Sequence, residues 1–270
     1  MKSFSELLQS SQFVEGLGQR YAVDAGWMQG RAIYGGLSTA LCLDGVLQQL
    51  EGLPPLRSAN VNFIGPASEQ VEVKCSVLRR GKSVAFVRAQ LMGEQGLIND
   101  SVFSFGAARE SRLDKIYQAS KPLANPALAA DFFSKNGSTS ERPVGLPAFT
   151  LHFDVRLING SRPFSGTVET SFELWVKHKD VAATSISALV ALADMPPPAV
   201  APLFKKFAPI SSMSWMFNLL SDDLSNDSGW WRLGMEAEHA KQGYSSQNMT
   251  IYNDRGELIM VGRQNVAIFY

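Results

Sequence analysis

The stretch Ile33-Tyr34-Gly35-Gly36-Leu37-Ser38-Thr39-Ala40-Leu41-Cys42-Leu43-Asp44-Gly45-Val46-Leu47-Gln48-Gln49-Leu50, followed by Gly52 and Pro54-Pro55, decides the fold. Leu37, Leu41, Val46, Leu47 and Leu50 recur at helical spacing and mark one buried face. The glycine and the proline pair beyond them are ordinary helix stops. Downstream the period changes to two. Residues 58–64, 70–79, 83–92 and 99–105 read as strands, with Val71, Val73, Cys75 and Val77 alternating against polar neighbours in the second. Arg80-Gly81-Lys82 and Glu94-Gln95-Gly96 supply hairpin turns. Upstream, Phe4, Leu7, Leu8 and Phe13 point to a helix over residues 4–18, and residues 21–27 read as a strand. One helix feeding an antiparallel meander is an α+β pattern.

The second half repeats the plan. Residues 149–157 and 167–177 read as strands, and 184–193 as a short apolar helix stopped by Pro196-Pro197-Pro198. Strands follow at 210–220, 230–240, 245–252 and 258–269, with Asn253-Asp254-Arg255-Gly256 as the turn between the last two. The order of elements repeats while the residues do not, which suggests duplicated architecture. Between the halves lie Pro122, Pro126, Pro143 and Pro147 and a polar run at 134–140, the composition of an inter-domain connection. The expected organisation is a first unit at 1–110, a connection at 111–147 and a second unit at 148–270.

Charge narrows the function. The 25 basic residues balance the 25 acidic ones, so no basic excess draws in nucleic acid. Cys42 and Cys75 both sit in apolar runs and read as reduced, buried thiols. They match neither a disulfide framework nor a zinc-ligand spacing. No metal or cofactor is implied. The N-terminal residues lack the apolar core of a signal peptide, and no apolar run reaches the roughly 18–20 residues of a membrane helix. The expectation is a cytoplasmic protein without a membrane partner.

Several stretches, in this order and spacing, resemble the double-hotdog acyl-CoA thioesterases of the TesB-like, type II group. They are Tyr34-Gly35-Gly36-Leu37; Phe63-Ile64-Gly65-Pro66-Ala67 with Val77-Leu78-Arg79-Arg80-Gly81-Lys82-Ser83; Leu174-Trp175-Val176-Lys177 with Leu192-Ala193-Asp194-Met195-Pro196-Pro197; and Trp230-Trp231 through Gly243 to Asp254-Arg255-Gly256-Glu257-Leu258 and Gln264. The resemblance implies two tandem hotdog domains, each a curved antiparallel sheet wrapped around a central helix. It implies an acyl-CoA substrate, and homo-oligomers by analogy of fold. It also implies an Asp, Ser/Thr and Gln cluster, largely in the second copy, that holds a water. Residue by residue the Asp falls on Asp194 and the Gln on Gln264. The Ser/Thr position falls on Ser212, with Ser211 or Ser214 under a small shift and Ile210 in one further register. Tyr34, where the family often has His, together with Gly35, Gly36 and Trp215, forms the expected substrate-binding set. Asn265 stands where family members often have Glu.

Thioester hydrolysis suits such a set. A carboxylate can take the proton of an attacking water, a hydroxyl and an amide can orient that water, and backbone N–H groups at a helix start can serve the oxyanion. The chain has no Gly-x-Ser-x-Gly elbow, and His152, His178 and His239 are scattered, reading as structural or surface groups. Each candidate also has a plainer reading. Asp194 could be a solvated helix end, and a carboxylate at a helix C-terminus is opposed by the dipole. Gln264 could be an edge residue, and Gly35-Gly36 could serve only to pack helix against sheet. Arg79, Arg80 and Lys82 could meet CoA phosphates or form a solvated hairpin tip. Trp215, Met216, Phe217, Trp230, Trp231 and Met235 read mostly as core, with some available to line an acyl tunnel. A non-catalytic hotdog binding an acyl-CoA or another apolar ligand is the alternative to the hydrolase. A hotdog hydratase ranks last, for want of an Asp/His pair at suitable spacing.

Overall fold

The computed structural model describes residues 1–66, 69–113, 115–117, 120–121, 125–134 and 145–270. Ala67, Pro122, Pro143 and most of the polar run at 134–140 lie outside the described residues. In chain order the first half holds α1 (Phe4–Gln9), β1 (Gln12–Val14), β2 (Gly18–Ala22), β3 (Met28–Gln29), β4 (Ala32–Ile33), α2 (Gly35–Gln49), β5 (Leu56–Phe63), β6 (Gln70–Arg80), β7 (Val84–Gly93) and β8 (Gly96–Gly106). The second holds β9 (Ala130–Asp131), β10 (Phe153–Asn159), β11 (Ser171–His178), α3 (Ile186–Ala193), β12 (Ile210–Leu219), β13 (Trp231–Lys241), β14 (Tyr244–Tyr252) and β15 (Leu258–Ile268).

Thirteen of these strands form one antiparallel sheet in the order β1-β2-β6-β7-β8-β5-β12-β15-β14-β13-β11-β10-β9. Taken from its two ends, the order is the same pattern twice: β2-β6-β7-β8-β5 mirrors β11-β13-β14-β15-β12. The copies meet where β5 pairs with β12, Met216 opposite Asn60. Each copy wraps a helix, so the fold is two tandem hotdogs, as the resemblance implies. The register makes the duplication exact to the residue. β5 carries a bulge against β8 between Leu56 and Ser58, and β12 carries one against β15 between Ser212 and Ser214. Aligning the bulges sets Leu56 with Ser212, Phe103 with Gln264 and, through the β7–β8 and β14–β15 pairings, Val87 with Gln247.

α2 is sunk in the sheet's concavity, with Leu37, Leu41 and Val46 fully buried. Gly45 sits so close to β6 that a Cβ there would lie 2.6 Å from the Val73 side chain. Leu47, expected on the buried face, is exposed because the seam runs along Leu37, Ala40, Leu41 and Gly45 and leaves it on the flank. α3 is buried through all but its first residue and packs against α2.

Four local expectations need correction. The helix expected over 4–18 stops at Gln9. Ser3 and Glu6 form a capping box at its start, and the chain then turns through Gly16 and Gly18, both at positive φ, into the β1–β2 hairpin. Phe13 is consequently exposed. The strand expected over 21–27 ends at Ala22, because Asp24 caps a 3-10 turn at Ala25–Trp27. Residues Ala148–His152 likewise form a 3-10 turn rather than the start of a strand. Residues Ala130–Asp131, expected in the connection, add β9 to the edge of the thirteen-stranded sheet beside β10. Both cysteines are free, Cys42 buried and Cys75 half-buried. No helix among the described residues is long and apolar enough to cross a membrane.

Candidate active site

The start of α2 lies against the end of α3, and each supplies what the other's terminus lacks. Tyr34 is the N-cap of α2 but makes no side-chain cap. Its hydroxyl instead donates to the Ala191 carbonyl at 2.6 Å, one of the carbonyls that the end of α3 leaves without a helical partner. In return the first turn of α2 faces the carboxylate of Asp194, the C-cap of α3, and the Gly36 backbone N–H helps hold that carboxyl's pKa down. The acid opposed by the dipole at the end of its own helix is therefore well placed at the start of the other, where the dipole favours negative charge. The approach is tight. A Cβ on Gly35 would stand 2.7 Å from Asp194 Oδ2, and one on Gly36 would stand 2.5 Å from the Ala191 oxygen.

β15 brings Gln264 to the same point. Its Nε2 donates to Asp194 Oδ1 at 2.7 Å and to Ser212 Oγ at 3.3 Å. The β12 bulge selects among the serines. Inserting Met213 into the strand puts Ser212 and Trp215, three residues apart, on the same inner face. Ser211 is exposed and Ser214 pairs with Asn265 on the outer face. Ile210 lies at the strand's start, opposite Ile268.

Asp194 retains some accessible surface as a residue, but its carboxyl is packed within protein. Burial raises its pKa to about 7, against the opposing pull of the hydrogen bonds from Gln264 and Gly36. It is thus a carboxyl able to exchange a proton near neutrality, the property a general base needs. Gln264 engages one of its lone pairs, and an ionised carboxylate has room to accept a water as well.

The remaining expected residues are placed as follows. Tyr34 is buried, its ring stacked on Phe149 at 4.0 Å. Trp215 is buried beside Gln264, its Nε1 2.9 Å from Met249 Sδ and its ring 4.6 Å from Phe217. His152 stacks on Trp27 at 3.6 Å, and burial lowers its pKa. His178 is pushed down to about 4 by burial, with Nε2 2.8 Å from the Ala188 carbonyl oxygen. His239 is exposed. Arg80 is tied to the carbonyls of Glu51 and Gly52. Among the described residues no cluster of His, Cys, Asp or Glu is arranged to hold a metal ion.

One member of the site was missed. Gln247 on β14 is fully buried and donates from Nε2 to Gln264 Oε1 at 2.8 Å. Its signal was present in the alternation of β14: extending the inward phase of Met249 and Ile251 backwards reaches Gln247 and Ser245. At the matching positions of the first copy stand Leu56, Phe103 and Val87, all buried. The duplicated fold thus carries this polar cluster once.

The family model for the acyl-CoA thioesterase N-terminal domain matches residues 23–106, and that for the acyl-CoA thioesterase C-terminal domain matches residues 125–268. The chain belongs to the acyl-CoA thioesterase family. Solved structures carry the same fold over the whole length of this thioesterase-family chain. A conserved hotdog protein of unknown function from Alicyclobacillus acidocaldarius has a TM-score of 0.85 at 19% identity, covering 100% of this chain and 99% of its own. An acyl-CoA thioesterase II, TesB2, from Mycobacterium marinum has a TM-score of 0.73 at 16% identity, covering 98% of each chain. The tesB protein of Mycobacterium avium subspecies paratuberculosis has a TM-score of 0.76 at 15% identity, covering 98% of this chain and 99% of that one. No curated protein matches the chain.

Proposed function

We propose that this member of the family hydrolyses fatty acyl-CoA thioesters to the free acid and CoA, through a water held by Asp194, Ser212 and Gln264. The observation that carries the reading is the Gln264 amide, which bridges a buried carboxyl of raised pKa to a hydroxyl, at 2.7 and 3.3 Å. In the proposed reaction ionised Asp194 takes a proton from the water as its oxygen bonds to the thioester carbonyl carbon. Collapse of the tetrahedral intermediate breaks the C–S bond, and the proton on Asp194 passes to the departing sulfur. Water is consumed, acid and thiol are released, and the enzyme returns unchanged. Ser212 and Gln264 contribute by holding the water in line, which lowers the entropic part of the barrier. A cytoplasmic homo-oligomer, with units at 1–110 and 148–270 joined by 111–147, belongs to the same proposal. So does substrate contact at Gly35, Gly36 and Trp215, whereas the Tyr34 hydroxyl is committed within the protein.

The second reading is an acyl-CoA-binding protein without turnover. It is favoured by the crowding at the start of α2, where a Cβ on Gly35 would stand 2.7 Å from Asp194 Oδ2, which leaves little room for a thioester carbonyl beside those backbone N–H groups. One experiment separates the two: CoA release, followed with a thiol reagent, over acyl-CoAs from short to long chain. Turnover that Gln264→Ala reduces with little change in KM supports the hydrolase. Measurable binding with no turnover at any chain length overturns it in favour of the binder.

A further inference from the structure

Gln247 poses a question that neither the fold nor the proposed chemistry answers. Its side chain has no accessible surface, yet it is polar, and the first copy has Val87 at the matching place. A buried amide needs partners for both its ends, and an apolar residue would fill the position without that demand. What the amide does follows from its partners. The backbone N–H of Ala199, just past the three prolines, lies 2.7 Å from it. A backbone N–H can only donate, so the Gln247 atom it meets is Oε1. That turns Nε2 towards β15, where it donates to Gln264 Oε1 at 2.8 Å. Gln264 Nε2 must then point away from β14, to Asp194 and Ser212. Reversing either amide would set donor against donor or acceptor against acceptor.

We infer that Gln247 is a positioning residue: anchored by the one-way donor of Ala199, it fixes the Gln264 amide so that an N–H, and not the carbonyl, faces the Asp194 carboxylate and the reacting water. The part concerning the water rests on the hydrolytic reading; the part concerning Asp194 stands without it. An amide free to turn would offer Oε1 to protonated Asp194 and Nε2 to the ionised form, so it would stabilise the acid in a way the fixed amide cannot. Fixing Gln264 therefore keeps Asp194 available as a carboxylate. The other titratable side chain that senses Asp194 is Tyr34 of α2, whose hydroxyl is committed to Ala191. Arg263, adjacent on β15, turns to the outer face and pairs with Glu238. From β12 the group facing Asp194 is the uncharged Ser212.

The test is a carbon-13 NMR titration of the Asp194 carboxyl in the full chain, assigned by its loss in Asp194→Asn. It is run on wild type, Gln247→Met, Gln264→Met and the double variant. Gln247→Met is expected to raise the Asp194 midpoint by roughly half to one pH unit, the worth of one hydrogen bond. It should also lower kcat by about tenfold with KM little changed. In the Gln264→Met background the same substitution should move the midpoint no further. A midpoint unmoved by Gln247→Met in folded protein overturns the inference. So does an equal shift with Gln264 absent, since Gln247 would then act by some other route. Neutron diffraction on the wild type needs no variant: deuterons on Gln264 facing Asp194 are expected, and deuterons facing Gln247 overturn the assignment. The titration reads no activity, so a wild type that hydrolyses no acyl-CoA would sink the hydrolytic reading and leave this one to be decided on its own.

Discussion

Gly35 begins α2 directly against Asp194, whose Oδ2 would stand 2.7 Å from a Cβ at that glycine, so the helix of one hotdog copy starts on an acid supplied by the other. The contact joins fold to chemistry. It sets a carboxyl at the N-terminus of α2, which has no side-chain cap of its own, and it places that buried carboxyl beside Gln264. A site built in this way exists only when both copies are present and their helices meet.

Replacing Asp194 removes the proposed base. Asp194→Ala should lower kcat by about 10²–10⁴-fold, the range of a lost general base, while acyl-CoA still binds. The check is CoA release in steady state together with binding measured by calorimetry. Retained turnover, or loss of the folded state in place of loss of rate, would mark Asp194 as a structural cap alone.

The pKa of about 7 at Asp194 gives two pH profiles. The ionised form is the base, so kcat/KM should rise with pH through about 7 and level off above it. Stability runs the other way. The folded-state value lies above the ordinary 3.8, so between those limits the folded protein holds more protons than the unfolded chain. Stability from this group is then greatest at low pH, falls as pH rises through the window, and stays low above it. Asp194→Asn cannot titrate and lacks that slope. Urea midpoints at about pH 5 and about pH 8 should show the asparagine variant gaining on wild type at the higher pH. An unchanged gap would mean that the carboxyl titrates as an ordinary surface acid.

Alanine for glycine inside a helix is ordinarily favourable by about 1 kcal/mol. At the start of α2 the sign should reverse. A Cβ at Gly36 would meet the Ala191 oxygen and the Tyr34 hydroxyl, each at 2.5 Å, and neither is the loose end of a flexible chain. Gly36→Ala is therefore expected to destabilise by roughly 1–3 kcal/mol, as overpacking does. Gly35→Ala would press on Asp194 Oδ2 and the Phe63 ring, so it should cost activity as well as stability. Urea unfolding with parallel CoA-release rates checks both. A Gly36→Ala variant as stable as wild type would show that the two helices can separate freely.

Much of this was legible in residues alone, and the parts that were not share a cause. The period change after Gly52 marks helix and strands, and the turn at Asn253-Asp254-Arg255-Gly256 stands where expected, with Gly256 at positive φ. Local rules fail where a single residue redirects the chain, as Asp24 does by capping a 3-10 turn inside an apparent strand. Asp194 and Gln264 are placed through the resemblance, but no periodicity says that the acid meets the start of a helix more than a hundred residues away. The choice of Ser212 depends on the bulge at Met213, and a bulge is a property of the pairing of two strands rather than of either sequence. Gln247 is not singled out by the sequence, because a polar residue on the inward phase of a strand looks like any other until the pairing with β15 sets it opposite Gln264.

Tyr34 was expected to touch substrate, and its surroundings suggest a different main task. Its hydroxyl is the partner of the Ala191 carbonyl, and its ring lies flat on Phe149 in the core. Tyr34→Phe keeps the ring and removes only the hydroxyl, leaving the terminal carbonyl of α3 buried without its partner. Such an orphan costs about 1–3 kcal/mol, so thermal and urea midpoints should both fall. The KM for acyl-CoA should stay within about twofold, because the lost bond is internal to the protein. A KM that rises several-fold with stability unchanged would restore Tyr34 to the substrate. Both effects together would mean that the junction of α2 and α3 is itself part of the binding surface, with the hydroxyl shared between carbonyl and ligand.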